Sequence, residues 1–225
     1  MKYSVILFDS DNTLLNYSKS EKYALVSTLK KYKIKPSNAI VKKYREINDE
    51  LWRQHEKGLV GKSELGVIRY QKLLAYLKKD IDAKEFNDEY MKSLSTKSYL
   101  VRGAKNVLKK LTQMGVKCYI VTNGTAWIQE KRLGSSPIIK YITDTFVSEV
   151  AGYSKPDKRY FDYCFSLIEN LDKSKTLLVG DSPSADILGA VNSGLDCCHF
   201  CPKGAPSSLA NYSIKKLKEI LKIIK

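Results

Sequence analysis

Short apolar runs recur along the chain, and polar residues follow each of them directly. The runs are residues 5–8, 118–121, 146–147 and 177–179, followed in turn by Asp9, Thr122, Ser148 and the pair Gly180 and Asp181. Each run is apolar throughout, without the alternation of a half-exposed strand, which is typical of strands covered on both faces. The pattern therefore predicts a parallel sheet buried between two layers.

Helical patterns separate the later strands, at residues 105–111, 159–168 and 184–192. Strands that alternate with helices predict an α/β fold, a Rossmann-like doubly wound parallel sheet. Ligands bind such sheets at the carboxyl ends of the strands. We therefore expect Asp9, Thr122 and Asp181 to meet at one edge of the sheet.

A long segment between the first two strands has only helical patterns. One apolar stripe runs through Ile40, Tyr44, Ile47, Leu51 and His55, and a second stripe lies within residues 65–77. A connection of this length is too long for a loop. The sequence predicts an inserted all-helical subdomain at residues 16–97 and a core made of residues 1–15 and 98–225.

The last predicted element is an amphipathic, lysine-rich helix at residues 213–221. We expect its apolar stripe to dock onto the core. The alternative is that the helix lies on an anionic membrane surface.

The formal net charge of +15 comes from 39 basic and 24 acidic residues. Such a charge suggests an anionic partner, but the lysines occur as scattered pairs that are typical of solvated helix faces, which makes nucleic acid a minority interpretation. No signal peptide or membrane-length apolar run is present, and the five cysteines are an odd number. These features predict a cytoplasmic protein with reduced thiols and without a membrane partner. We expect a monomer or a homodimer.

The segment Cys197–Cys198–His199–Phe200–Cys201 combines zinc-binding residue types. It reads as a strand, in which alternate residues face opposite ways, and a second ligand pair at a recognised spacing is missing. We interpret it as structural.

Asp9 and Asp11 are close enough to repel each other, and alone they indicate a metal site, a nucleophile with its acid, or a solvated turn. Asp9 ends a buried strand, and a carboxylate held there can attack phosphorus to form an aspartyl phosphate. Asp9, Asp181 and Asp186 supply oxygen ligands of the kind that Mg²⁺ prefers. Asp11 is placed to protonate a leaving oxygen and then to accept a proton from water.

Three further residues are candidates for binding the phosphate. Thr122 offers a hydroxyl, and Asn123 offers a backbone N–H or a side-chain amide. Lys155 precedes Pro156 and is expected to pair with both the phosphate and the Asp9 carboxylate. With these residues the sequence predicts a phosphoryl-transfer site for a small phosphate monoester.

The segments DSDNT (9–13), VTN (121–123), KP (155–156) and GDSPSAD (180–186) resemble the four ordered motifs of haloacid dehalogenase-like (HAD) phosphatases. The resemblance covers nearly the whole chain, and the insert resembles the type 1 helical cap. It implies that Asp9 is the nucleophile and Asp11 the general acid and base. It also implies that Thr122 and Lys155 bind phosphate. Asp181 and the Asp11 carbonyl are then expected to ligate a magnesium ion, and Asp186 to act on it directly or from close by.

Within the superfamily, Asp11 argues against a dehalogenase. Residues 48–52 (NDELW), 121–124 (VTNG) and 186–189 (DILG), with Gly58 and Arg69, look most similar to the bacterial pyrimidine 5′-nucleotidases. The expected activity is a Mg²⁺-dependent phosphomonoesterase that acts on pyrimidine nucleoside monophosphates. The alternative substrate is a sugar phosphate, N-acylneuraminate 9-phosphate or another small metabolite. In the insert, Trp52, His55 and Arg69 are candidate specificity residues, against the alternative that Trp52 and His55 belong to the helical core.

Two non-enzymatic alternatives remain open. A signalling receiver also combines a phosphorylatable Asp, a Thr and a Lys on a parallel sheet, but receivers are shorter and have no long helical insert. A basic nucleic-acid-binding protein is suggested only by the net charge.

Overall fold

The computed structural model describes residues 1–225, apart from the side chain of Glu56. The described chain forms two compact units. Residues 1–17 and 98–225 form one of them, called the core unit below, and residues 18–97 form the other, called the helical unit.

The core unit contains one six-stranded sheet, as far as the described residues show. Its strands are β1 (Val5–Phe8), β2 (Lys117–Thr122), β3 (Asp144–Val147), β4 (Thr176–Gly180), β5 (Asp196–Phe200) and β6 (Tyr212–Ile214). They lie in the order β3-β2-β1-β4-β5-β6, and every neighbouring pair is parallel. The predicted α/β class with a doubly wound parallel sheet is confirmed.

The helices, in chain order, are α1 (Tyr17–Lys31), α2 (Asn38–Glu56), α3 (Lys62–Tyr76), α4 (Ala83–Ser95), α5 (Ala104–Gln113), α6 (Ala126–Gly134), α7 (Ser148–Ala151), α8 (Lys158–Ser166), α9 (Leu188–Asn192) and α10 (Ile220–Ile223). A π-helical turn at Pro183–Ile187 precedes α9. No helix in the described part of the chain is both long and apolar enough to cross a membrane.

Strand β1 shows why strands of this sheet appear in the sequence as continuous apolar runs. Ile6 and Phe8 belong to an apolar cluster that includes residues of α5 and of the C-terminal segment. Val5 and Leu7 belong to a second cluster, which includes residues of α8 and α9. Successive side chains of a strand point to opposite faces, and both faces here are covered by helices.

The C-terminal segment differs from the predicted helix at residues 213–221. Tyr212–Ile214 pairs with β5 as an edge strand, and the helical part begins only at Leu217. Because Ile214, Leu217 and Ile220 are buried against the core unit, the expected docking onto the core is present. The extent of the helix was wrong, since the alternation Tyr212, Ser213, Ile214 is too short to tell a strand from a helix.

The helical unit has a polar centre built around Glu21, which is 5% exposed. Its carboxylate accepts hydrogen bonds from Arg45 Nε at 3.2 Å and from Asn48 Nδ2 at 3.4 Å. Burial raises the pKa of Glu21 to about 7, although Arg45 acts in the opposite direction. Proton binding by Glu21 is therefore more favourable in the folded unit than in the unfolded chain.

Replacing Glu21 by Gln should flatten the pH dependence of stability. Because the pKa of Glu21 rises from 4.5 to about 7 on folding, the folded state binds its proton more tightly than the unfolded state. This stabilisation is complete below the unfolded pKa and is lost as the pH rises through the folded pKa. In urea unfolding, we expect wild type to lose up to about 3 kcal/mol more than Glu21→Gln between about pH 5 and about pH 8.

The matched control is Glu46→Gln, at an exposed glutamate of α2. This variant should keep the pH dependence of wild type. An unchanged pH dependence in Glu21→Gln would contradict the assignment.

Candidate active site

The site lies where β1 and β4 are neighbours in the middle of the sheet. This is the point at which the strand order reverses, and parallel sheets bind ligands in the crevice outside it. Phe8 is paired with Val179, and the Asp9 N–H donates to the Val179 carbonyl at 2.9 Å. The register therefore brings Asp9 and Asp181 to the same edge, each directly after its strand.

The Lys155 ammonium group is the centre of this site. It donates to Asp9 Oδ1 at 2.7 Å, to Asp186 Oδ1 at 2.6 Å and to the Val121 carbonyl at 2.9 Å. Lys155 is only 2% exposed and both carboxylates are buried. One ammonium group thus uses its three donors to join the ends of β1 and β2 to the turn that carries Asp186.

Asn123 positions the backbone of Lys155. Its Nδ2 donates to the Lys155 carbonyl and its Oδ1 accepts from the Lys155 N–H, both at 2.9 Å. The amide oxygen and one N–H of Nδ2 are therefore engaged within the protein. The backbone N–H and the second N–H of Nδ2 remain as the donors predicted at Asn123.

Gly180 makes room for the Asp186 carboxylate. A Cβ atom at position 180 would lie 2.2 Å from Asp186 Cγ, which no side chain can tolerate. Asp186 Oδ2 also accepts from the Ser182 N–H at 3.0 Å. The glycine at the end of β4 and the following π-helical turn therefore fix the second partner of Lys155.

Asp181 completes a group of three carboxylates with Asp9 and Asp186. One ligand atom from each lies within 4.8 Å of the others. Asp181 Oδ1 accepts from Thr13 Oγ1 at 3.4 Å. His199 accepts from the Ser207 N–H on Nδ1, so its Nε2 carries the proton and donates to the Asp181 carbonyl at 3.2 Å.

The protonation of these carboxylates reflects burial and mutual repulsion. Burial raises the pKa of Asp9 well above its ordinary range; Lys155 lowers it, and Asp186 and Asp181 raise it further. Burial and the neighbouring Asp186 raise the pKa of Asp181 to about 7, against the effect of Lys155. For Lys155, the attraction of Asp186 and Asp9 outweighs burial and raises its pKa, so the ammonium form persists. A single cation does not offset three carboxylates, and the arrangement suits an additional cation.

Asp11 has different partners, although it is only two residues from Asp9. Its Oδ2 accepts from Gln129 Nε2 at 2.7 Å and its Oδ1 accepts from Arg132 Nη1 at 2.6 Å. Both donors come from α6 and are buried. The two aspartates at the end of β1 thus have separate hydrogen-bonding environments.

Thr122 is the last residue of β2 and is 1% exposed. Its hydroxyl accepts from the Gly124 N–H at 3.0 Å. The hydroxyl hydrogen thus remains available for a further acceptor.

The three candidate specificity residues of the insert lie in the helical unit. Arg69 is 4% exposed and donates to Asn48 Oδ1 and Asn87 Oδ1, among the rings of Tyr44, Tyr70 and Tyr90. It is thus part of the interior of that unit and is not presented at its surface. Trp52 and His55 are partly exposed and contact each other edge to face, with a ring separation of 5.6 Å.

Sequence reasoning missed the two residues that contact Asp11. A signal was present, because Gln129 and Arg132 are three residues apart and each is next to a buried apolar residue, Ile128 and Leu133 in turn. Polar side chains on the apolar face of a helix require partners.

The cysteines at 197, 198 and 201 are buried, and among the described residues the carboxylate trio is the group with metal-binding geometry.

Comparison with known proteins identifies the family. The model of the haloacid dehalogenase-like hydrolases matches residues 6–200. The chain therefore belongs to the haloacid dehalogenase-like hydrolase family, as the four motifs suggested.

Three relatives illustrate the similarity. The HAD-hydrolase YfnB of Bacillus subtilis is 34% identical over 99% of this chain and 96% of its own length. The pyrimidine 5′-nucleotidase PynA of Streptococcus pneumoniae is 32% identical over 90% of this chain and 85% of PynA. The pyrimidine 5′-nucleotidase YjjG of Escherichia coli is 26% identical over 98% of this chain and 99% of YjjG.

A crystal structure of YfnB bound to magnesium, described as revealing interdomain movement, matches the fold with a TM-score of 0.95 over 100% of both chains. The family and these relatives confirm the predicted enzyme class, a phosphoric monoester hydrolase of the HAD type.

Replacing Lys155 by Met should destabilise the core unit strongly in magnesium-free buffer. The change leaves Asp9 and Asp186 buried without their cation, for which we expect a loss of about 3–5 kcal/mol. Adding Asp186→Asn to this variant should restore part of the loss, because one buried charge is removed. Chemical denaturation of the single and double variants measures both effects.

The control is Lys158→Met, which removes an exposed ion pair of 2.6 Å with Asp162. This change should cost less than about 1 kcal/mol. If Lys155→Met lost no more stability than Lys158→Met, the ion pairs of Lys155 would not be what holds the site together.

Proposed function

We propose that this chain is a Mg²⁺-dependent phosphomonoesterase that acts on pyrimidine nucleoside monophosphates through an aspartyl-phosphate intermediate. The observation that carries the proposal is the contact of Asp9 with Lys155 beside two further carboxylates at the switch point of the sheet. An attacking carboxylate, a fixed cation and an acidic metal site are the parts that phosphoryl transfer to an aspartate requires.

The carboxylate trio suits a magnesium ion. Mg²⁺ prefers oxygen ligands and binds through a few carboxylates while keeping several waters. Asp9 and Asp181 offer oxygens, and the proximity of the three carboxylates is unfavourable without added positive charge. Asp9, Asp181 and the Asp11 carbonyl would hold the ion, and Asp186 would serve it directly or from the next shell. When bound, the ion supplies charge neutralisation for the phosphoryl oxygens.

The proposed reaction has two displacements. A carboxylate oxygen of Asp9 attacks phosphorus, the bond to the leaving oxygen breaks, and Asp11 gives that oxygen a proton. Water then attacks the phosphorus and transfers a proton to Asp11, and the bond between phosphorus and Asp9 breaks. Both half-reactions thus use the same pair of side chains.

Thr122 and Lys155 are the proposed phosphate ligands. The Thr122 hydroxyl already accepts one hydrogen bond, so its own hydrogen can point to a phosphoryl oxygen. Lys155 has all three donors engaged within the protein. A phosphate therefore has to share or replace the contact of Lys155 with a carboxylate, which would release Asp9 for attack.

The substrate assignment is supported by the relatives PynA and YjjG, both of them pyrimidine 5′-nucleotidases. The helical unit is the proposed cap, and Trp52 is the proposed residue for stacking on a base, because it is an aromatic residue that is partly exposed. Arg69 is unsuited to contacting the substrate, since its guanidinium group lies in the interior of the helical unit. A sugar phosphate or N-acylneuraminate 9-phosphate is the alternative substrate class.

A substrate panel tests the proposal. With Mg²⁺, kcat/KM for pyrimidine nucleoside 5′-monophosphates should exceed that for purine nucleotides, sugar phosphates and N-acylneuraminate 9-phosphate by at least about tenfold. Asp9→Asn should reduce hydrolysis of every substrate to background, because it removes the nucleophile. Undiminished hydrolysis by Asp9→Asn would refute the proposed mechanism. A preference for sugar phosphates would change only the assignment of the substrate.

Magnesium should also stabilise the protein measurably. At about 100 times its dissociation constant a ligand contributes about 2.7 kcal/mol, which corresponds to a rise in Tm of about 5–10 °C for a chain of this size. Asp181→Asn should remove most of this rise and most of the activity. Differential scanning calorimetry with Mg²⁺ or with EDTA measures the shift, and a full rise in Asp181→Asn would refute this ligand.

A further inference from the structure

Two buried side chains of α6 contact the carboxyl group of Asp11. We infer that Gln129 and Arg132 are positioning residues that hold Asp11 in place for proton transfer to and from the substrate. The inference rests on the proposed function, because it assigns a role to partners of the proposed general acid and base. Nothing in the four recognised motifs includes either residue.

Arg132 is the stronger part of the argument. It is 0% exposed, yet only its Nη1 has a hydrogen-bond acceptor, Asp11 Oδ1 at 2.6 Å. Nε and Nη2 have no hydrogen-bond partner among the described residues. The guanidinium carbon Cζ lies 5.5 Å from the centre of the Tyr17 ring. A buried arginine with two unpaired donors is a poor choice for packing alone, which indicates that its contact with Asp11 is the reason for its presence.

Gln129 fixes the second oxygen of the same carboxyl. Its Nε2 donates to Asp11 Oδ2 at 2.7 Å, while its Oε1 accepts from Ser10 Oγ at 3.1 Å. A Cβ atom at Gly124 would lie 2.2 Å from Gln129 Nε2, so the amide is closely confined. The amide has one donor and one acceptor in use, and these two contacts determine which way it points.

Together the two donors set the direction of the Asp11 carboxyl group. Each oxygen receives one hydrogen bond from a rigid helix and keeps capacity for another, so a proton can still be carried or accepted. Asp11 itself is exposed on about a quarter of its side chain, whereas both donors are buried. Two buried donors therefore fix the orientation of a carboxyl group that is itself accessible, as preorganised proton transfer requires.

The leaving group distinguishes positioning from a merely structural role. The alkoxide of a nucleoside needs a proton as it departs, whereas p-nitrophenolate departs readily as an anion. Loss of the acid should therefore reduce hydrolysis of a pyrimidine nucleoside 5′-monophosphate much more than hydrolysis of p-nitrophenyl phosphate. A variant that only loosens the fold should reduce both to the same extent.

The experiment compares kcat/KM for these two substrates in wild type, Asp11→Asn, Arg132→Met and Gln129→Met. General acid catalysis contributes about 10²–10⁴-fold, so Asp11→Asn should lose this factor mainly with the nucleotide. Arg132→Met and Gln129→Met should each lose at least about tenfold with the nucleotide and less than about threefold with p-nitrophenyl phosphate. Arg132→Lys, which keeps a charged donor, should recover part of the loss. Added to Asp11→Asn, either Met variant should have no further selective effect.

Lys131→Met is the matched control, since Lys131 is the exposed neighbour of Arg132 on α6. It should behave as wild type with both substrates. If Arg132→Met does not fold, as judged by its thermal transition, Gln129→Met decides the question alone. Equal losses with both substrates, or unchanged hydrolysis of the nucleotide, would overturn the inference. Wild type that hydrolyses neither phosphate would instead refute the proposed function, and the inference with it.

Discussion

The contact of one buried ammonium group with two buried carboxylates is the constraint on which the site depends. Lys155 draws together Asp9 from the end of β1 and Asp186 from the turn after β4, while also binding the Val121 carbonyl of β2. Both carboxylates are buried, and without this cation nothing would compensate their loss of hydration and their mutual repulsion. The sheet places the ends of its strands at one edge, and the ion pairs hold the side chains of the site in position there.

Two aspartates so close in sequence have different roles in the proposed reaction because their partners differ. Asp9 is almost wholly buried and faces a lysine whose point charge can be shared with an incoming phosphate. Asp11 is partly exposed and is held by a single N–H of Arg132 and by the Gln129 amide, both from α6. A nucleophile benefits from a cation that can exchange partners, whereas an acid and base benefits from a fixed direction.

The fold was largely predictable because its strongest determinants are local. A strand covered on both faces needs an unbroken apolar run, and β1, β2 and β4 have such runs. The edge strand β6 was missed, since an edge strand is short, pairs on one side and buries only alternate residues. Its three residues carry too little periodicity for the sequence alone to separate a strand from the start of the helix that follows.

The candidate site was predictable where it lies at strand ends and unpredictable where it depends on contacts between distant elements. Strand ends converge by topology, so the pattern alone predicted that Asp9, Thr122 and Asp181 lie at one edge of the sheet. The partners of Asp11 lie more than a hundred residues away in sequence, and only the packing of α6 brings them there. Asn123 shows the same limit, because its residue type suits a phosphate while its amide is used to hold Lys155. The residues proposed to do the chemistry at the strand ends are thus placed by strand register, whereas the residues proposed to position them are placed by tertiary packing.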